Sequence, residues 1–158
     1  MKKKIQNEFG ISLIEVIASI LILTIILISF FSLLIQSNRT NRLSESIADA
    51  TYIAQMEMEN LYTISEDNNN NIVEAIKSNG YTLESTNVFQ CTNTNKIEYS
   101  DVYVFVKTDS QYPDFKKKIT IKKICNYNSA FIKIEVIDVN ANSIRAIMEN
   151  VIKFKGDN

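Results

Sequence analysis

The chain has no histidine and no tryptophan, one proline, three glycines and two cysteines in 158 residues. Without histidine it lacks the side chain that titrates nearest neutrality and the commonest metal ligand. A nucleophile–histidine hydrolase and a histidine-bound zinc are excluded at once. The two cysteines, Cys91 and Cys125, show no C-x-x-C spacing, so a zinc ribbon or a thioredoxin-like redox centre has no ligands to use. In an exported chain they would pair and tie the loop after Gly80 to the central sheet; two separately buried thiols are the alternative. Charge of one sign is lacking too. Seventeen basic side chains stand against eighteen acidic ones, so no overall field draws the chain to nucleic acid or anionic lipid. The polar stretches "EDNNNN" and "DVNANS" lack the acidic spacing of a calcium loop and read as caps and turns. No metal, no cofactor and no enzymatic activity are expected.

The sequence does have one long apolar run. From Val16 to Asn38 there is no charged residue, and "VIASILILTIILISFFSLLI" (16–35) is apolar except for small hydroxyls. At helical rise those residues span about 30 Å, the thickness of a bilayer core. Lys2, Lys3 and Lys4 precede the run, which predicts a cytoplasmic N-terminus and export of the residues beyond the run. The run exceeds the apolar stretch of a secretory signal peptide, and no small-x-small pair comes after it. Glu15 stands at its mouth. A carboxylate near hydrocarbon costs roughly 2.5 to 3.5 kcal/mol on insertion scales, so something should compensate for it; a partner charge is one way, and snorkelling of the carboxylate to the headgroups is the alternative.

The segment "FG-ISLIEV" with its basic leader and apolar run resembles the cleavage and methylation site of type IV prepilins and pseudopilins. The resemblance covers residues 1–36 closely. It implies that a membrane-embedded prepilin peptidase cuts between Gly10 and Ile11, removing residues 1–10, and that Ile11 is N-methylated. It further implies that Glu15 meets the Ile11 amine of a neighbouring subunit. That amine has an ordinary pKa near 7.7 to 8 and is mostly cationic at neutral pH. Two departures stand out. The first mature residue is Ile11 where the family usually has Phe, and the run carries neither Gly nor Pro, which fits a minor subunit better than a flexible shaft subunit.

Beyond the run, Leu43, Ile47, Ala50, Ala54, Met58 and Leu61 recur at steps of three or four and predict one amphipathic stripe. Arg42, Glu45, Asp49, Gln55 and Glu59 line the opposite face, and "SEDNNNN" (65–71) ends the helix. "ADATYIAQMEMENL" is also similar to the second segment of PilV-type minor pilins and I-type minor pseudopilins. "IVEAIKSNG" reads as a short helical turn ended by Gly80. "DVYVFVKTD", "KKITIKKIC", "AFIKIEVIDV" and "IRAIMENVIKF" alternate at hairpin spacing, with turns at "NYNS" and "NANS". "KKKITIKK" (116–123) lacks interleaved aromatics, so it reads as a solvated, lysine-protected edge strand rather than a nucleic-acid strip.

The expected fold is therefore α+β: a long N-terminal helix, membrane-spanning then amphipathic, on a C-terminal antiparallel sheet of about four strands, the pilin-like lollipop outline. Its divisions are a leader (1–10), a transmembrane assembly helix (11–38) and a globular domain (39–158). That domain comprises an amphipathic helix (39–64), a loop-rich connection (65–98) and the sheet (99–158). The resemblance implies a non-enzymatic structural subunit, a minor type IV pilin that initiates or caps a pilus. A minor pseudopilin of type II secretion or competence is the alternative, and a membrane-anchored adhesin that never assembles is a third reading. The implied partners are the cytoplasmic membrane, the prepilin peptidase, major and minor pilins and the inner-membrane assembly platform. The implied location is a single-pass membrane protein, then an extracellular filament.

Overall fold

The computed structural model describes residues 12–67, 72–91, 98–108 and 110–154. Helix α1 (Leu13–Asp67) is followed by α2 (Ile72–Ser78) and by strands β1 (Thr82–Val88), β2 (Tyr99–Thr108), β3 (Phe115–Ile124), β4 (Ser129–Asp138) and β5 (Ser143–Lys153). The chain is α+β. It divides into two compact units, residues 1–43 and residues 44–158.

In the N-terminal unit, the apolar side chains from Leu13 to Ile35 are exposed, Leu13 at 79% and Ile25 at 64%. An exposed surface of this kind is unstable in water and matches a lipid or partner environment. Three of the four hydroxyls inside the run, those of Ser19, Thr24 and Ser29, do not break that match. Ser19 donates to the Val16 carbonyl at 2.8 Å, Thr24 to Ile20 at 2.7 Å and Ser29 to Ile25 at 2.9 Å. Each donor is satisfied within its own helix, as a segment in hydrocarbon requires.

In the C-terminal unit, five strands lie in the order β1-β2-β3-β4-β5, all antiparallel. The sheet has five strands where about four are expected. The additional one, β1, falls inside the stretch read as a loop-rich connection, which also holds α2. "TLESTNV" is mostly polar because β1 pairs only with β2 and is mostly exposed, so the alternation that marks a strand is missing.

One sheet face packs on the last turns of α1. Ala50, Ile53, Ala54, Met58 and Leu61 meet Phe105, Ile119, Ile121, Ile132, Ile134, Val136 and Ile152 in one buried core. Each fully buried Ile or Leu there contributes about 1.5 to 3 kcal/mol relative to exposure. The stripe is shorter than expected: Leu43 and Ile47 remain 44% and 42% exposed, because the core begins at Ala50. Arg42, Glu45, Asp49, Gln55 and Glu59 are exposed as expected. The helix also runs to Asp67, into the stretch expected to end it.

The reading of the lysine-rich strand is corrected too. β3 is the central strand, not an edge, and Lys117 is 1% exposed. Phe115, Lys117, Ile119 and Ile121 face the core, so period-2 alternation puts Lys116, Lys118 and Lys122 on the other face. There Lys122 lies over the rings of Tyr99 and Phe131, at 5.4 and 5.7 Å from their centroids. The hairpin turns use asparagine where a left-handed backbone is needed: Asn126 has φ 62° and Asn142 φ 46°.

Candidate functional site

The first turn of α1 is set by a serine. Ser12 Oγ and Ser12 O both accept from the Glu15 amide, at 3.3 and 2.9 Å. "SLIE" is therefore the S-x-x-E spacing of a capping box, with Ser12 as N-cap and Glu15 three residues on. The sequence carries that signal, and reasoning from the apolar run alone misses it. A carboxylate in the first turn also interacts favourably with the positive end of the helix dipole. Among the described residues, however, no cation and no side-chain donor meets the Glu15 carboxylate. Gly10 and Ile11 lie outside the described residues. The N-terminal unit thus presents an exposed apolar helix, long enough to cross a membrane, with one carboxylate in its capped first turn.

A second constellation lies in the C-terminal unit, where the sequence pattern predicts no charged site. Glu57 is 5% exposed; its Oε1 accepts from Lys117 Nζ and its Oε2 from the Tyr81 hydroxyl, both at 2.5 Å. The placement of Tyr81 follows from the end of α2. Gly80, at φ +83°, donates to the Lys77 carbonyl at 3.0 Å, and Tyr81 donates to Ile76 at 3.4 Å, the two bonds of a Schellman motif. The glycine thus turns the chain so that Tyr81 enters the core. Glu57 is one step from Met58 in a helix whose buried arc is wider than the stripe of alanines and leucines suggests. Its burial becomes visible only with β3 in the centre of the sheet. The cluster ties α1, β3 and the α2–β1 turn together, and its burial gives a substrate no access.

Cys91 and Cys125 are bridged, with Cα atoms 5.9 Å apart. The bridge joins the segment after β1 to the residue that follows β3, across β2; the stretch after Gly80, expected as a loop, is largely strand β1 itself. At the opposite hairpin, Asp138 Oδ1 accepts from the Ala141 amide at 2.9 Å and Oδ2 from Arg145 Nη2 at 2.9 Å. The Ala141 bond first, and then Arg145, holds the Asp138 carboxyl below its ordinary value. Burial and the nearby Asp101 carboxylate push the Tyr103 hydroxyl up. Among the described residues no group of three metal-ligating side chains comes together.

No protein-family model matches the chain, and neither a curated protein nor a solved structure matches it.

Proposed function

We propose that this chain is a non-enzymatic filament subunit, a minor pilin of the type IV kind. It is stored in the cytoplasmic membrane, processed between Gly10 and Ile11, and drawn into a pilus with its C-terminal unit outside. The observation that carries the reading is the Glu15 carboxylate, with no cation beside it among the described residues, at the start of an exposed apolar helix. A subunit that stays single in lipid gains only the modest interaction of that charge with its own helix dipole, less than the cost of placing it near hydrocarbon. A subunit stacking on its neighbours gains a partner in the α-amine that cleavage creates at Ile11. In a low dielectric the pair sets register, because a mismatch strands two charges. The fold fits the same role: one helix supplies the membrane or filament segment, and the sheet supplies a domain with its own core.

The test is Glu15→Ala in the full chain, with co-purification alongside the major pilin measured at equal membrane level. Loss of one partner of a desolvated pair costs roughly 3 to 5 kcal/mol, about 150-fold to a few thousand-fold in incorporation. The mutant is expected to insert, lose its leader and keep its folded domain, yet enter filaments poorly. Incorporation equal to wild type would reduce Glu15 to a carboxylate in a helix first turn that Ser12 caps.

A further inference from the structure

The sheet face turned away from the core carries an unbalanced charge down its middle. On β3, period-2 alternation sets Lys116, Lys118, Thr120 and Lys122 in one row on that face, over about 20 Å. In register they lie beside a row of valines on β2: Val106 opposite Lys118, Val104 opposite Thr120 and Val102 opposite Lys122. Among the described residues none of these three lysines forms an ion pair. Glu135, opposite Lys118 on β4, is taken by Lys133 at 3.0 Å, and Glu149 on β5 lies opposite Lys133. A central strand has no open edge for lysines to protect. Solvating the face needs charge, but not charge of one sign in one row.

The row ends at a cavity of about 390 Å³, within the range of small-ligand pockets. Phe89, Tyr99 and Val102 give it an apolar wall, Gln90 and Glu98 bring an amide and a carboxylate, and Lys122 brings a cation. The Tyr99 and Phe131 rings, 5.4 and 5.7 Å from the ammonium, hold Lys122 in place without neutralising it. The arrangement selects among polyanions. Single-stranded nucleic acid needs open aromatic faces on which bases stack, and on both of these rings Lys122 occupies a face. An acidic peptide adds most readily to a strand edge, and β3 has two strands on either side. A chain of sugar rings bearing anionic groups fits both parts. Its ring faces and hydroxyls suit the cavity, and its charges suit the row.

We infer that this face is a binding site for a linear anionic polysaccharide. One ring seats in the cavity with its charged group on Lys122, and the following anionic groups run along Lys118 and Lys116. The site belongs wholly to the C-terminal unit, so it goes beyond the filament-subunit reading and stands or falls apart from it.

Isothermal titration of the full chain, in a non-ionic detergent, with oligogalacturonate (one carboxylate per ring) tests it. Wild type is expected to bind at low salt and to lose affinity as ionic strength rises. Neutral dextran of equal length should not bind. Lys122→Gln should weaken binding about two- to five-fold, and the K116Q/K118Q/K122Q triple about tenfold or more. The K116R/K118R/K122R triple should keep binding, which separates charge from altered folding. Lys77→Gln, exposed on α2, should leave it unchanged. No binding by wild type would overturn the inference, as would equal affinity in the glutamine triple. Tighter binding of polyglutamate or oligothymidylate of the same charge would overturn it too, by giving the face to peptides or nucleic acid. Should both triples lose binding, an unweakened K122Q variant would do the same.

Discussion

Replacing Lys117 with methionine should unfold the C-terminal unit more readily than any single aliphatic truncation of similar size. The ammonium is 1% exposed and sits 2.5 Å from a carboxylate that is itself buried. Lys117→Met leaves the Glu57 carboxylate with the Tyr81 hydroxyl but without that ammonium, in a core whose other members are apolar side chains such as Phe105, Phe115, Leu61 and Ile119. Stranding one charge of such a pair costs roughly 3 to 5 kcal/mol. For a domain of this size that corresponds to a melting point lower by about 10 to 20 °C. Glu57→Leu alone should also destabilise the unit, by removing the buried carboxylate to which Lys117 donates. The double variant removes both charges and should come back to within about 1 to 2 kcal/mol of wild type, or exceed it. Tyr81→Phe removes one hydrogen bond to a charged acceptor, roughly 1.5 to 3 kcal/mol. Urea unfolding of residues 44–158, followed by near-ultraviolet circular dichroism, gives all four values. Additive single-variant losses in the double variant would refute the coupling. A Lys117→Met loss below about 1 kcal/mol would show that the ammonium reaches solvent instead.

Reducing the Cys91–Cys125 bridge, or replacing both cysteines with serine, should cost about 3 to 4 kcal/mol in the same assay, the entropy of a loop of roughly 35 residues. An unchanged urea midpoint under reductant would mean that the bridge does not form. Asp138 titrates below its ordinary value of 3.8 in the folded chain, so its contribution is present above that value and is lost as pH falls through the folded one. Asp138→Asn should therefore flatten part of the acid limb of the stability profile and leave the limb above pH 7 unchanged; an unaltered acid limb would contradict the turn contacts. If the proposed cut falls between Gly10 and Ile11, Gly10→Val should leave full-length precursor in the membrane, because it replaces the one residue type that permits the closest backbone approach with a branched side chain. Complete processing of that variant would put the cut elsewhere.

The contrast between what the sequence discloses and what it hides has a physical basis. The apolar run, the four long strands and both asparagine turns are legible because each is specified by local pattern: period, length and tolerance of a left-handed backbone. β1 is not, since an edge strand with most of its side chains in water has no apolar alternation to display. The lysine-rich strand misleads for a related reason. Five lysines within eight residues describe a solvated strand unless a carboxylate from elsewhere in the chain enters the core to meet one of them. Glu57, 60 residues away, does so. Burial of a charge depends on its partner, and the partner is a tertiary fact. Leu43 and Ile47 show the converse, since the stripe that they continue runs past the end of the sheet's core. Glu15 stands out by its incongruity among apolar neighbours, while its cap by Ser12 is the quieter signal beside it.

The central claim, that the chain is processed for assembly rather than merely anchored, turns on the state of its N-terminus. The direct measurement is the intact mass of the protein extracted from its native membrane, with the N-terminal peptide sequenced by fragmentation. The expected chain begins at Ile11 and carries one methyl group, an increment of about 14 Da, on its amine. A chain that retains Lys2, Lys3 and Lys4 ahead of Gly10 would contradict that claim, and would leave the helix as a plain anchor for the folded unit behind it.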